Sequence, residues 1–152
     1  MTQIKPEKTN RQNWMAVLAK ANWTDLAMLW DDFGNKPDFK ILRPAETGLI
    51  MLRARTGAVG AAFNMGEATV TRSSVVSDSQ IQGHAYILGR NGLHAEVAAE
   101  VDAALQDDAL HQVVMARIIN PLKTAASNKK HQAQQKTAAT KVDFFTLVRG
   151  ED

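Results

Sequence analysis

The sequence predicts an α+β fold: an antiparallel sheet with an N-terminal helical hairpin before it and C-terminal helices after it. Three observations carry this. Apolar residues recur at helical spacing from Trp14 to Phe33. From about Phe39 to Leu88 they alternate with polar residues, in short runs joined by turn-forming segments. After Asn91 the helical spacing returns and is not interrupted by further strand-like runs. A period-2 region flanked by period-3.6 regions places helices to one side of a sheet, rather than in the strand–helix alternation of a doubly wound parallel fold.

The first eight residues are polar and read as a loose tail. Thr9 to Gln12 has the Thr-x-x-Gln spacing of a capping box, in which each side chain satisfies a free amide at the helix start. Trp14, Val17, Leu18 and Ala21 follow on one face. Thr24 reads as the N-cap of a second helix bearing Leu26, Leu29, Trp30 and Phe33, with Gly34 as its stop. Trp14 and Trp30 lie on the apolar stripe of this hairpin, which gives them a core role rather than one in base stacking.

Pro37 breaks the chain, and Phe39 to Leu42 reads as a short strand ended by Pro44. Leu49 to Arg55 is a second strand, with Ile50, Leu52 and Ala54 on one face and Met51, Arg53 and Arg55 on the other. Two arginines on one strand face can grip a phosphate or carboxylate bidentately, or simply be solvated. The stretch from Arg53 to Arg72, RARTGAVGAAFNMGEATVTR, then combines Gly57, Gly60 and Gly66 with Glu67, two threonines and Arg72. It reads as strand, irregular glycine turn, strand, with the next strand spanning Glu67 to Val76. Long turns on a rigid sheet are where binding residues concentrate, although an ordinary sheet connection explains the glycines as well. Ser77 to Gln80 is a polar turn, and Ile81 to Leu88 the next strand.

Gly89-Arg90-Asn91-Gly92 turns into a helix capped by Asn91, with Leu93, Val97, Val101, Ala104 and Leu105 on its stripe and His94 in its first turn. Asp107 or Asp108 opens another helix, carrying Leu110, Val114 and Ile118. Pro121 should interrupt it, and Asn120-Pro121 reads as a fresh cap and first position. Residues 121–141 form a basic arm, rich in Ala, Lys and Gln with a thin apolar face, expected to be mobile or held by a neighbouring chain. Residues 142–149, with Val142, Phe144, Phe145, Leu147 and Val148, form a compact apolar anchor expected to be docked, on its own domain or on a second copy of the chain, so that the isolated protein can self-associate.

The 152 residues fit one domain, and a hydrophobic fraction of 45% affords a real core. The absence of cysteine removes disulfides, thiolate nucleophiles and Cys-ligated zinc. No apolar run approaches the roughly 18 residues of a membrane span, and the polar N-terminus lacks a signal-peptide core, so the sequence predicts a soluble, cytoplasmic protein. The formal net charge is +2, but the segment between Ala109 and Val142 holds six basic residues and no acid. That segment is +6 and the remainder therefore −4, a polarity that suggests an anionic partner for the C-terminal part.

His84, Tyr86, Arg90, His94 and Glu96 fall within thirteen residues. They do not make a catalytic constellation: no His-x-x-x-His spacing supports a zinc site, no serine sits in a nucleophile elbow, and neither phosphate-binding glycine fingerprint is present. Histidines that bond main chain or cap turns account for this set, and a half-site completed by another subunit stays open. The candidate interface or substrate-contact residues are Arg53, Arg55, Glu67, Arg72, His84, Arg90, His94 and Glu96; none is assigned a catalytic or metal-binding role.

At these residues the chain resembles the PhnG family, subunits of the bacterial carbon–phosphorus lyase complex. The resemblance rests on RQNWMAVLA near the start, RPAETGLIMLRART from Arg43, GAVGAAFNMGEATVTR, GHAYILGRNGLHAE from Gly83 to Glu96, and VDFFTLVRG at the end. It is weakest from Leu122 to Thr140. The resemblance implies a role in phosphonate use: with PhnI, PhnH and PhnL, exchange of the adenine of MgATP for methylphosphonate, giving α-D-ribose 1-methylphosphonate 5-triphosphate. It implies that PhnI carries the nucleosidase activity, that PhnJ later breaks the carbon–phosphorus bond, and that this chain is a required core subunit without a cofactor of its own. Three readings follow in order: a non-catalytic complex subunit, a catalytic half-site contributor or enzyme, and a small nucleic-acid binder. They differ in whether the molecule shows a large unfilled surface, a pocket of converging ionisable groups, or a basic face with exposed aromatics.

Overall fold

A computed structural model of the protein describes residues 10–57 and 59–139. Two helices, α1 (Asn10–Lys20) and α2 (Trp23–Asp31), precede three strands, β1 (Phe39–Arg55), β2 (Ala62–Ser77) and β3 (Gln82–Leu88). Helices α3 (Gly92–Gln106) and α4 (Asp108–Val114) follow, then a π-helical turn (Met115–Ile119) and α5 (Asn120–Ala139). The sheet has the order β1-β2-β3 and both pairings are antiparallel. The fold is α+β as the periodicities predict. Thr9 of the expected capping box and the whole 142–149 anchor lie outside the described residues.

The core lies between one face of the sheet and the helices. Trp14, Leu18, Leu26, Trp30 and Phe33 from α1 and α2 meet Val75, Ala85 and Ile87 of the sheet, the alanine-rich face of α3, and Val114, Ile118, Ile119 and Leu122. Both tryptophans are core residues that place their indole N–H on a carboxylate of α3. Trp14 donates to Asp102 at 2.8 Å and Trp30 to Glu100 at 2.7 Å. The packed face of α3 is Ala95, Ala98, Ala99, Val101, Asp102, Ala103 and Ala104. Leu93, expected on the stripe, is exposed instead. Small side chains let α3 sit close to the sheet: a Cβ on Gly83 of β3 would lie 1.9 Å from the Ala99 carbonyl oxygen.

Several boundaries differ from the sequence reading, each for a physical reason. Phe39 to Arg55 is one 17-residue strand, not two. Pro44 is absorbed at a register shift between Arg43 and Glu46, and β1 is an edge strand, where a missing amide costs little. Strand β2 begins at Ala62, five residues before the expected Glu67, so the β1–β2 hairpin runs much further than the alternation shows. The second helix is capped by Asn22, whose side chain accepts from the amides of Thr24 and Asp25, and not by Thr24. Asn120 is helical, at φ −65° and ψ −46°, so Pro121 does not start a fresh helix. The π turn carries the helical path across it, with the Asn120 amide donating to the Met115 carbonyl. Helix α5 is therefore a continuation. Its nucleation is already achieved, which is why a segment with so thin an apolar face is helical up to Ala139.

Candidate functional site

The sheet has a covered and an open face. The covered side of β2 is unusually polar: Thr71, Ser73 and Ser77 are buried beside Val75. Their hydroxyls are used in holding the sheet. Thr71 Oγ1 donates to the Gly89 carbonyl at 2.7 Å, so the 3.1 Å contact with Thr47 Oγ1 has Thr47 as donor. Ser73 Oγ donates to the Arg43 carbonyl at 3.1 Å, across the irregular stretch of β1.

The open face carries the chemistry-bearing side chains. Register sets Glu46 opposite Arg72, Arg72 opposite Tyr86, and Ser74 opposite His84. Arg72 Nε donates to Glu46 at 2.6 Å and its Nη2 forms an ion pair with the same oxygen. Glu46 holds the Arg72 guanidinium deeper in its charged range, the hydrogen bond being the main cause. With Thr47, Gly48, Leu49, Ile50 and Val70, these residues line a shallow cavity of about 290 Å³. Ser74 Oγ and His84 Nδ1 are 2.8 Å apart. A nucleophile–base pair needs a third group orienting the ring. The nearby carboxylate, Asp102, instead accepts from the His84 backbone amide at 3.0 Å.

The other candidate residues are dispersed. His94 is buried, and its Nε2 must be the donor to the Leu18 carbonyl at 2.9 Å, because a carbonyl only accepts. Its amide is capped by Asn91, as the sequence reading has it. Arg90 is exposed in the β3–α3 turn, and Glu96 is half-buried on α3. Arg53, Arg55 and Glu67 are exposed on the hairpin beyond the end of β3. The structure thus brings Arg72, His84 and Tyr86 to one face and leaves the remaining candidates elsewhere. Among the described residues no group of three or more His, Cys, Asp or Glu is placed to hold a metal ion.

Two acids escape the sequence reading. Asp102 is fully buried in α3 and accepts from Arg11 at 2.7 Å, from the Trp14 indole, from the His84 amide and from Gln106 at 3.4 Å. It ties α1, α3 and β3 together. Glu46 is the ion-pair partner of Arg72. Neither leaves a spacing signal, since their partners lie 91 and 26 residues away.

A family model described as phosphonate metabolism protein PhnG matches residues 9–150. The chain belongs to the PhnG family. It is 40% identical, over 93% of its length and 90% of the relative's, to a protein of Rhizobium meliloti (strain 1021) named alpha-D-ribose 1-methylphosphonate 5-triphosphate synthase subunit PhnG. The stretches that carry the resemblance to the PhnG family now have places: RQNWMAVLA is α1 with Arg11 and Trp14, the next two build the long hairpin, and GHAYILGRNGLHAE is β3 and the start of α3. The last, VDFFTLVRG, lies outside the described residues.

Proposed function

We propose that the chain is a required, non-catalytic subunit of an α-D-ribose 1-methylphosphonate 5-triphosphate synthase within a carbon–phosphorus lyase complex. The observation that carries this is the 40% identity, across nearly the whole of both chains, to a relative bearing that subunit name. On this reading the complex takes MgATP and methylphosphonate as substrates and releases adenine. The chain supplies no cofactor, works in the cytoplasm with PhnI, PhnH, PhnJ and PhnL, and binds neither nucleic acid nor membrane. No helix of the described residues is long and apolar enough to cross a membrane. Residues 1–152 act as one unit, with 121–141 as a basic arm and 142–149 as an anchor.

The site geometry supports a structural role. The buried ionisable side chains His94 and Asp102 are engaged in bonds that hold elements together. Arg72 is taken up by Glu46. Arg53, Arg55, Glu67, Arg90 and Glu96 serve contacts with partners on this reading, while His84 and His94 support the fold. A half-site reading rests on one observation, the convergence of Arg72, His84 and Tyr86 on the open face.

The test is adenine release from ATP in the presence of methylphosphonate. The isolated chain is expected to show none, and the reconstituted synthase to require it. Glu67→Gln should leave the reconstituted rate within about tenfold of wild type, since loss of a general acid or base costs about 10²–10⁴-fold. Adenine release by the isolated chain, abolished by His84→Ala, would replace this reading with an enzymatic one.

A further inference from the structure

Strand β3 pairs only with residues Val70 to Val76 of β2. Beyond that point β1 and β2 continue alone, from the Leu49–Thr69 pair to the Arg55–Ala62 pair. At a rise of about 3.3 Å per residue, this two-stranded ribbon projects roughly 20 Å past the three-stranded sheet. At its end Gly57 has φ +64°, and a Cβ on Gly60 would lie 2.2 Å from the Thr56 carbonyl oxygen.

The ribbon's composition contradicts its exposure. Leu49, Ile50, Met51, Val59, Phe63 and Met65 all stand in solvent, Val59 at 97%, Leu49 at 62% and Met65 at 61%. A two-stranded ribbon is marginal in water by itself. Apolar side chains concentrated and exposed in this way mark an interaction site, and open strand edges with them offer backbone pairing. Both sides of the ribbon carry apolar residues, so burial calls for a groove that encloses it rather than a flat surface that covers one side.

We propose that the ribbon inserts into an apolar groove, rimmed by carboxylates, on a different polypeptide of the synthase. This rests on the subunit reading above. The rim is inferred from charge. Arg53 and Arg55 are exposed toward the tip, and Met51 is opposite Glu67 on the neighbouring strand. The free edge of β1 from Leu49 to Arg55 carries these two arginines and no acid, the upstream Glu46 being held by Arg72. A second copy pairing along the same edge would bring arginines together without a carboxylate between them. A nucleic acid would meet mostly aliphatic surface and Glu67. A carboxylate-rimmed groove satisfies both the apolar and the cationic side chains.

The experiment uses the tagged full chain co-expressed with the other synthase subunits of the same organism. The quadruple variant Leu49→Thr, Met51→Thr, Phe63→Thr, Met65→Thr keeps β-forming residues at exposed positions. It should recover the other subunits at least tenfold less than wild type while melting at the same temperature alone. Arg55→Glu, which has no bearing on the core, should weaken recovery in the same direction. A photo-crosslinking residue at Met51 should capture another polypeptide. Recovery at wild-type yield by both variants overturns the inference and leaves the subunit reading standing. Failure of the wild-type chain to recover any subunit overturns both. Crosslinks to a second copy of the chain overturn the heterologous occupant.

Discussion

Glu100 is held half inside the protein, accepting the Trp30 indole N–H at 2.7 Å. Burial raises its carboxyl above the ordinary range. The Trp30 bond and nearby Lys36 oppose that rise, and Glu96 adds to it. Because the shift is upward, the folded state keeps a proton that the unfolded chain has already lost over the window between the two values. Stability is therefore greatest on the acid side of that window and falls as pH rises through it. Glu100→Gln retains an acceptor for Trp30 but cannot ionise. Thermal melts between about pH 4 and pH 7 should show the two proteins converging at acid pH and the variant gaining as pH rises; parallel curves would refute this. The neighbouring Asp102 shows why such residues are hard to read in a sequence. An aspartate in a helix reads as solvated, and nothing local shows that Arg11 and Trp14, some ninety residues earlier, converge on it. His94 was easier: with no ligand spacing, a main-chain role was the legible one, and its bond to the Leu18 carbonyl is such a role, whereas the His84 ring meets the Ser74 hydroxyl instead.

Among the elements, the antiparallel sheet and the flanking helices were legible because half-burial writes a period into the sequence, although that reading divides β1 into two strands. The β2 half of the ribbon, Ala62 to Gly66, was not, because its side chains are exposed on both faces and carry no period-2 contrast, whereas Leu49 to Arg55 alternates and reads as a strand. Pro44 and Pro121 misled for a related reason: an edge strand and a π turn each tolerate the missing amide that a central strand or a regular helix would not. Among the described glycines, Gly83 leaves the least room toward another element: a methyl group there would meet the Ala99 carbonyl oxygen and, at 2.7 Å, the Ala103 nitrogen. These are backbone atoms and cannot rotate away. Gly83→Ala should therefore lift α3 from the sheet and cost about 1–3 kcal/mol or more in urea denaturation. Gly48→Ala, where a Cβ meets nothing within 4 Å, is the control and should cost far less. Equal effects would mean that close packing of α3 is not what holds the sheet.

At the scale of the whole molecule, the apolar ribbon and the basic helix offer two different kinds of contact, and ionic strength separates them. The described side chains from Lys123 to Thr137 are all exposed, whereas Leu122 is buried in the core with Ile118 and Ile119. The exposed part of α5 thus begins after Leu122, one residue beyond the proline at which the sequence reading starts the arm. Among the described residues a chain ending at Leu122 loses no side chain of the core, so its melting temperature is expected within about 4 °C of the full-length value, the shift that roughly 1 kcal/mol produces, and a larger fall would mean that residues 142–149 pack on this domain. It also loses Lys123, Lys129, Lys130, Lys136, Lys141 and Arg149 against Asp143, Glu151 and Asp152, a net loss of three positive charges, all three acids lying beyond residue 141. If these lysines face a partner's carboxylates, recovery of the synthase by the full chain should fall as NaCl rises, because exposed charges are screened beyond about 8 Å at physiological salt. The truncated chain should recover less of the complex at low salt and respond little to added NaCl. The ribbon variant should keep the salt response while losing affinity at every salt concentration, since burial of apolar surface is not weakened by screening. A truncated chain that recovers the complex at full yield and with the full-length salt response would remove the arm from the interface and leave the ribbon as its principal contact.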